Sequence, residues 1–82
     1  MQEGALLTRI ILDPNIMAGK PVIKGTRLTV EYILNLLACG ATPEEKIAEY
    51  KGLTLEDIQA CLLFAARSLD NSDFMPLPAE KV

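Results

Sequence analysis

Hydrophobic residues near the start of the chain fall into two short runs that predict a β-hairpin. The first run, Leu6 to Leu12, is rich in Leu and Ile and stops at Asp13-Pro14-Asn15, as expected for a strand that ends in a turn. The second run, Pro21 to Lys24, predicts the partner strand. Together they predict a hairpin over residues of about 6–24.

The second strand lies in a basic segment, residues 19–27, which is bounded by glycines and holds three of the eight basic residues. Alternation along an extended chain would place Lys20, Val22 and Lys24 on one face. Two interpretations remain open. The lysines and Pro21 could protect an edge strand from pairing with other sheets, or the lysines could bind an anion.

After the hairpin the hydrophobic spacing changes to three and four residues, which predicts helices. Their ranges are about 30–39, 43–50 and 55–69. Thr29, Thr42 and Thr54 are the expected N-caps, and the last two precede an acidic residue at the third helical position, the capping-box arrangement. The predicted fold is mainly α, with an N-terminal β-hairpin and a tri-helical bundle.

The third helix is apolar on more than one side. Its expected core stripe consists of Leu55, Ile58, Leu62, Ala65 and Leu69. Further apolar residues, among them Phe64, widen that stripe and indicate a second packing surface. A symmetric homodimer, a groove for a partner protein, or coverage by the β-hairpin would each account for it. Phe64 is therefore a candidate partner-binding residue.

The C-terminal residues 71–82 contain two prolines and no helical periodicity. We expect residues 1–70 to form a single domain and residues 71–82 to form a flexible tail. Phe74, Met75 and Leu77 are its apolar residues and its candidate anchors for a partner.

Composition narrows the classes of function. Eighty-two residues suffice for one small core but leave little room for a deep substrate cavity. No apolar run approaches the roughly 18 residues that span a bilayer, so a cytoplasmic protein without a membrane association is expected.

Residues 1–30 carry four basic and two acidic residues, whereas residues 31–82 carry four basic and nine acidic ones. Nucleic acid would therefore meet the hairpin, and a basic protein would meet the helices.

Catalytic and metal chemistry find few suitable side chains. The chain has no histidine, and its two cysteines, Cys39 and Cys61, lie in apolar helical patterns and are interpreted as buried free thiols. The glycine-flanked basic segment lacks the spacing of a phosphate-binding P-loop. We expect no catalytic residues, no metal, no cofactor and no enzyme activity.

The second and third helices, joined by a short glycine-containing turn, match the plan of a helix–turn–helix motif. The third helix offers Gln59 to base edges, but Glu56 and Asp57 beside it would repel phosphate. DNA contact through Lys20, Lys24 and Arg27 is the alternative. Arg27 could instead form an ion pair with Asp13 or Glu31.

Three groups of residues resemble the bacterial and archaeal family known as domain of unknown function 433. They are residues 11–14, the string Gly-Lys-Pro-Val-Ile-Lys-Gly-Thr-Arg-Leu-Thr-Val at 19–30, and the capped helix starts from Gly40 to Ile58. The resemblance covers about residues 9–69. Met17-Ala18 stand where the family often has a small residue and a second glycine, and Thr29 and Lys51 stand where proline is frequent.

The resemblance implies a homeodomain-like helix–turn–helix fold with an N-terminal β-hairpin. It also implies the role of an antitoxin that binds a PIN-like ribonuclease toxin and its own operator DNA. We therefore expect a dimeric, non-enzymatic, antitoxin-like regulator. The alternative is a protein-binding adaptor on the same scaffold without DNA contact, and a small-molecule-binding regulator has only the basic segment in its favour.

Overall fold

The computed structural model of the chain describes residues 3–70. Its elements, in chain order, are α1 (Glu3–Leu7), β1 (Ile10–Ile11), a 3₁₀ turn (Met17–Gly19), β2 (Val22–Ile23), α2 (Val30–Ala38), α3 (Pro43–Glu49) and α4 (Leu55–Asp70). The predicted class, mainly α with a small N-terminal hairpin, is confirmed. The predicted tail of 71–82, with Phe74, Met75 and Leu77, lies outside the described residues.

The hairpin is shorter than predicted. Its strands pair antiparallel with Ile10 opposite Ile23, and a single further bridge joins Val22 to Thr29. The prediction of a strand from Leu6 was wrong, because the segment up to Leu7 is helical. Leucine and alanine favour helix, and α1 packs along α4, so the first leucines are half-buried there instead of entering the sheet.

The second strand is covered on both of its faces. Val22 and Ile23 are both fully buried. β2 is only two residues long and lies between β1 and the returning chain at Thr29, so its backbone is paired on both sides. Lys20 and Lys24 flank this buried pair, and both are exposed.

The three predicted helix starts are confirmed by their hydrogen bonds. The Thr29 hydroxyl accepts from the backbone N–H of Tyr32 at the start of α2. At α3 the box is complete, since Thr42 accepts from the Glu45 N–H and the Glu45 carboxylate accepts from the Thr42 N–H. Thr54 and Asp57 make the same reciprocal pair at α4.

The core lies where the hairpin, α2 and α4 meet. Its buried members are Ile10, Ile23, Val30, Ile33, Leu53, Ile58, Ala60 and Cys61. α3 contributes no fully buried residue and packs on this core through half-buried Ile47. Of α2, α3 and α4, the shortest helix, α3, is therefore the least anchored.

The predicted core stripe of α4 was only partly right. Ile58 is buried, but Leu55, Leu62 and Leu69 are 46%, 50% and 69% exposed. The core side of α4 instead includes Ala60 and Cys61. The apolar residues of this helix form two adjoining stripes, and only one of them packs against the hairpin and α2. Within residues 3–70, no helix is long and apolar enough to cross a membrane.

Candidate interaction surfaces

An apolar groove of about 400 Å³ runs between α2 and the C-terminal half of α4. Its lining includes Pro21, Val30, Leu34, Phe64, Ala65 and Leu69. We refer to it as the α2–α4 groove. Pro21 reaches it from the basic segment, so hairpin, α2 and α4 all contribute to one surface. Apolar concavities of this size hold a few side chains of a partner.

Phe64, the predicted partner-binding residue, lies in this groove. It is half-buried and packs against the core. It also lines a second concavity of about 310 Å³, whose apolar residues include Leu7, Ile10 and Leu12. The Phe64 ring thus separates two surface depressions and forms part of both.

A salt bridge lies beside the α2–α4 groove. Glu31 lines the groove, and its carboxylate is 3.4 Å from Nζ of Lys20, with both side chains more than half exposed. An exposed pair of this kind contributes little to stability. It does, however, neutralise Lys20, which was predicted to contact nucleic acid.

Lys24 and Arg27 are also exposed basic residues around the hairpin. Within residues 3–70, neither of them forms an ion pair. Arg27 lines a concavity of about 450 Å³ that also includes Ile11 and Ile16. The structure thus separates the three predicted basic contacts into one paired residue, Lys20, and two unpaired ones.

The predicted ion pair of Arg27 with Asp13 or Glu31 was wrong. Asp13 accepts a hydrogen bond from the backbone N–H of Asn15 at 2.9 Å and so stabilises its own turn. Glu31 pairs with Lys20 instead. Because a backbone N–H binds Asp13 and a lysine binds Glu31, neither carboxylate pairs with Arg27.

The ion pair that joins distant parts of the chain is one that the sequence did not indicate. Nη1 of Arg9 donates to Oδ1 of Asp57 at 3.1 Å, across 48 positions. Oδ2 of the same carboxylate accepts from the Thr54 N–H at 3.1 Å. The Asp57 side chain is only 8% exposed, so its charge depends on these bonds. Its capping role was predicted, and its burial and its partner were not.

Two tyrosines join α2 to the end of α3. The hydroxyls of Tyr32 and Tyr50 are 2.6 Å apart, and their rings meet edge to face with centroids 6.2 Å apart. This hydrogen bond, with some burial, raises the pKa of Tyr50 to about 12. Sequence reasoning missed the pair, because nothing in the spacing of residues 32 and 50 relates them.

The two cysteines differ. Cys61 is buried, and burial, followed by the nearby Asp57 charge, raises the pKa of its thiol to about 12. Cys39 is exposed, contrary to the prediction, because it follows the last turn of α2, where the helix leaves the core. Both are free thiols.

In the part of the chain that the structure describes, no cluster of three or more acidic or cysteine side chains could hold a metal ion.

Gln59, the predicted base-contacting residue, is exposed on α4. It lies one helical turn from exposed Leu55, and Leu62 follows it by three positions. Glu56 is also exposed near the start of this helix. The exposed face of α4 thus presents leucines, one amide and a carboxylate, and Arg67 lies near its far end.

The comparisons with known proteins place this architecture in a family. The sequence profile of the family described as "Protein of unknown function (DUF433)" matches residues 10–65. The chain belongs to this family. The matched residues of this DUF433 protein include the hairpin, α2, α3 and the first two-thirds of α4.

A solved structure agrees with this assignment. The fold is similar to the crystal structure of a DUF433 member protein from Anabaena variabilis ATCC 29413, with a TM-score of 0.72 and 28% sequence identity. The similarity covers 82% of this chain and 66% of that chain, slightly less than two-thirds of its length. A search of the curated proteins found no match.

Proposed function

We propose that this DUF433 protein is a non-enzymatic, antitoxin-like regulator that acts first of all by binding a protein partner through the α2–α4 groove. The observation that carries the proposal is the groove itself, an open apolar surface of about 400 Å³ on a domain of this size. The partner implied by the resemblance to DUF433, with its proposed antitoxin role, is a PIN-like ribonuclease.

The charges around the groove describe the segment that would fit. Residues 31–70 hold seven acidic and three basic side chains, and Glu31 lies in the lining. A suitable partner segment presents one or two apolar side chains between lysines or arginines. The apolar anchors fill the groove, and the basic flanks meet the acidic surface of the helices.

A groove-filling substitution tests this proposal. Asn35 is exposed and lines the groove on α2, so Asn35→Trp would occupy the space of the partner's anchor without disturbing the core. The matched control is Ala38→Trp, because Ala38 is exposed on the same helix but is not part of the groove lining. Binding of a PIN-like ribonuclease is measured by calorimetry.

We expect Asn35→Trp to weaken that binding about tenfold or more and Ala38→Trp to leave it within about twofold. Equal effects of the two substitutions would remove the groove from the proposal. Failure of the unaltered protein to bind the ribonuclease would overturn the antitoxin-like function.

DNA binding is the second candidate, and the exposed, unpaired Lys24 and Arg27 favour it. Two such residues can neutralise two phosphates, so affinity for duplex DNA from the upstream promoter should fall as salt rises. Fluorescence anisotropy should show this salt dependence weakened in the double variant Lys24→Ala/Arg27→Ala and retained in Lys51→Ala, a change of an exposed lysine outside the hairpin. Salt-independent or undetectable binding would favour the protein-binding adaptor.

A further inference from the structure

Helix α4 carries a second apolar stripe that the fold leaves uncovered. It consists of Leu55, Gln59, Leu62, Ala66 and Leu69, and all five residues are exposed. We call these residues the leucine stripe. They follow one another at steps of four, three, four and three, so the leucines recur at every seventh position.

This stripe borders the side of α4 that builds the core. The buried residues of the helix are Asp57, Ile58, Ala60 and Cys61. At 100° per residue, Leu62 projects about 100° from Cys61 and about 160° from Ala60, whereas buried Ile58 lies only about 40° away and marks the edge of the stripe. The other stripe residues lie within about 60° of Leu62, on one side of the helix. These three leucines are 46% to 69% exposed along one line of the helix, which is unfavourable and unusual in a monomer.

The spacing identifies the kind of surface that would cover the stripe. Alternating steps of four and three are the repeat of a helix that packs side by side against another helix. In that repeat the leucines take one set of seam positions, and Gln59 and Ala66 take the other. No charged residue interrupts the stripe, so the facing surface should itself be an uncharged, helical seam.

The leucine stripe of a second copy of the chain would be such an uncharged, helical surface. The amide of Gln59 both donates and accepts hydrogen bonds, so it can pair with the same residue of a second copy. A single polar residue at such a position fixes the register of paired helices and lowers their affinity. A face that is complementary to itself suits a two-fold symmetric contact, in which the same patch is used twice.

We propose that two copies of this chain associate by packing α4 against α4 along the leucine stripe. The contact goes beyond the proposed function, since the stripe shares only Leu69 with the α2–α4 groove. Two heptads present far less than the roughly 800 Å² per partner of a stable complex. The association is therefore weak and reversible, with the dimer forming as concentration rises.

Sedimentation equilibrium over a wide concentration range tests the proposal with two substitutions of opposite effect. Leu62→Glu places a charge at the centre of the stripe and should weaken self-association more than tenfold, to a monomer at about 0.1 mM. Gln59→Leu removes the polar seam residue and should strengthen it about tenfold. Circular dichroism checks that both variants remain folded.

The control is Leu12→Glu, since Leu12 is 63% exposed but lies near the hairpin and outside the stripe. It should leave self-association unchanged, as should the groove-filling Asn35→Trp. A chain that stays monomeric at about 1 mM, or a dimer that Leu62→Glu and Gln59→Leu leave unaltered, would overturn the proposal. Neither result bears on the ribonuclease, so the proposed function is tested separately.

Discussion

Asp57 shows how one side chain can serve two structural purposes. One carboxylate oxygen caps α4, and the other binds Arg9, whose own carbonyl accepts a hydrogen bond from the Lys24 N–H beside β2. The residue thereby connects the long helix to the hairpin. A capping pattern in the sequence indicates the first role, whereas the second depends on tertiary packing that spacing does not encode.

A double-mutant cycle can measure the Arg9–Asp57 pair. We expect Asp57→Ala to lower the free energy of unfolding by about 2 kcal/mol, because it removes both the cap and the ion pair. Arg9→Ala should cost about 1 kcal/mol, since the Arg9 side chain is 41% exposed and water weakens the pair.

The double variant should show a coupling energy of about 1 kcal/mol in urea unfolding. Glu56→Ala is the control, because Glu56 is adjacent and exposed, and it should change stability by less than about 0.5 kcal/mol. Strict additivity of Arg9→Ala and Asp57→Ala would mean that the pair contributes nothing.

At the scale of elements, α2, α3 and α4 were predictable, whereas α1 was missed and the hairpin was predicted only in part. Each of α2, α3 and α4 starts at a threonine whose capping partners lie within three residues, so the signal is local and complete. The strands have two residues each, too few for alternation to show. The leucines at 6 and 7 suit either state, and contact with α4 decides in favour of helix.

The turns on either side of β2 both contain residues with a left-handed backbone, one a glycine and one not. Gly25 has φ of +82°, and an added Cβ would meet no atom within 4 Å, so substitution there costs backbone strain alone. Ala18 has φ of +58° without being glycine. Met17 beside it has φ of +51°, so this segment holds a left-handed backbone that favours glycine.

We expect Gly25→Ala to lower the free energy of unfolding by about 1 kcal/mol and Ala18→Gly to raise it by about 0.5 kcal/mol. Gly25→Asn should cost less than Gly25→Ala, because asparagine tolerates the left-handed region better. Thermal unfolding of the three variants measures these values. A stabilising Gly25→Ala would show that this turn is not left-handed in solution.

For the whole molecule, the position of the candidate surfaces was harder to predict than the fold. Phe64 was selected from the width of an apolar pattern, and it does line the α2–α4 groove. Lys20, Lys24 and Arg27 were grouped by closeness in sequence, but Lys20 pairs with Glu31 and Arg27 lies against Ile11 and Ile16. Surfaces combine residues from several elements, and only packing determines which residues meet.

Unequal anchoring of the helices predicts unequal local stability. α4 contributes Ile58, Ala60 and Cys61 to the core at 1% exposure or less, whereas α3 contributes no buried residue. α3 is attached mainly by half-buried Ile47 and by the hydrogen bond between Tyr50 and Tyr32. It can therefore open while hairpin, α2 and α4 remain packed.

Native-state hydrogen exchange should reveal this order. Amides of α3 should be at least about tenfold less protected than those around Ile58 to Cys61, because they exchange through local opening. Tyr50→Phe removes the tyrosine hydrogen bond and should speed exchange in α3 further, while exchange at the centre of α4 changes little. Equal protection in α3 and α4, rising and falling together in the variant, would show that the domain opens only as one unit. In that case the exposed helix would owe its stability to cooperativity with the core and not to its own few contacts.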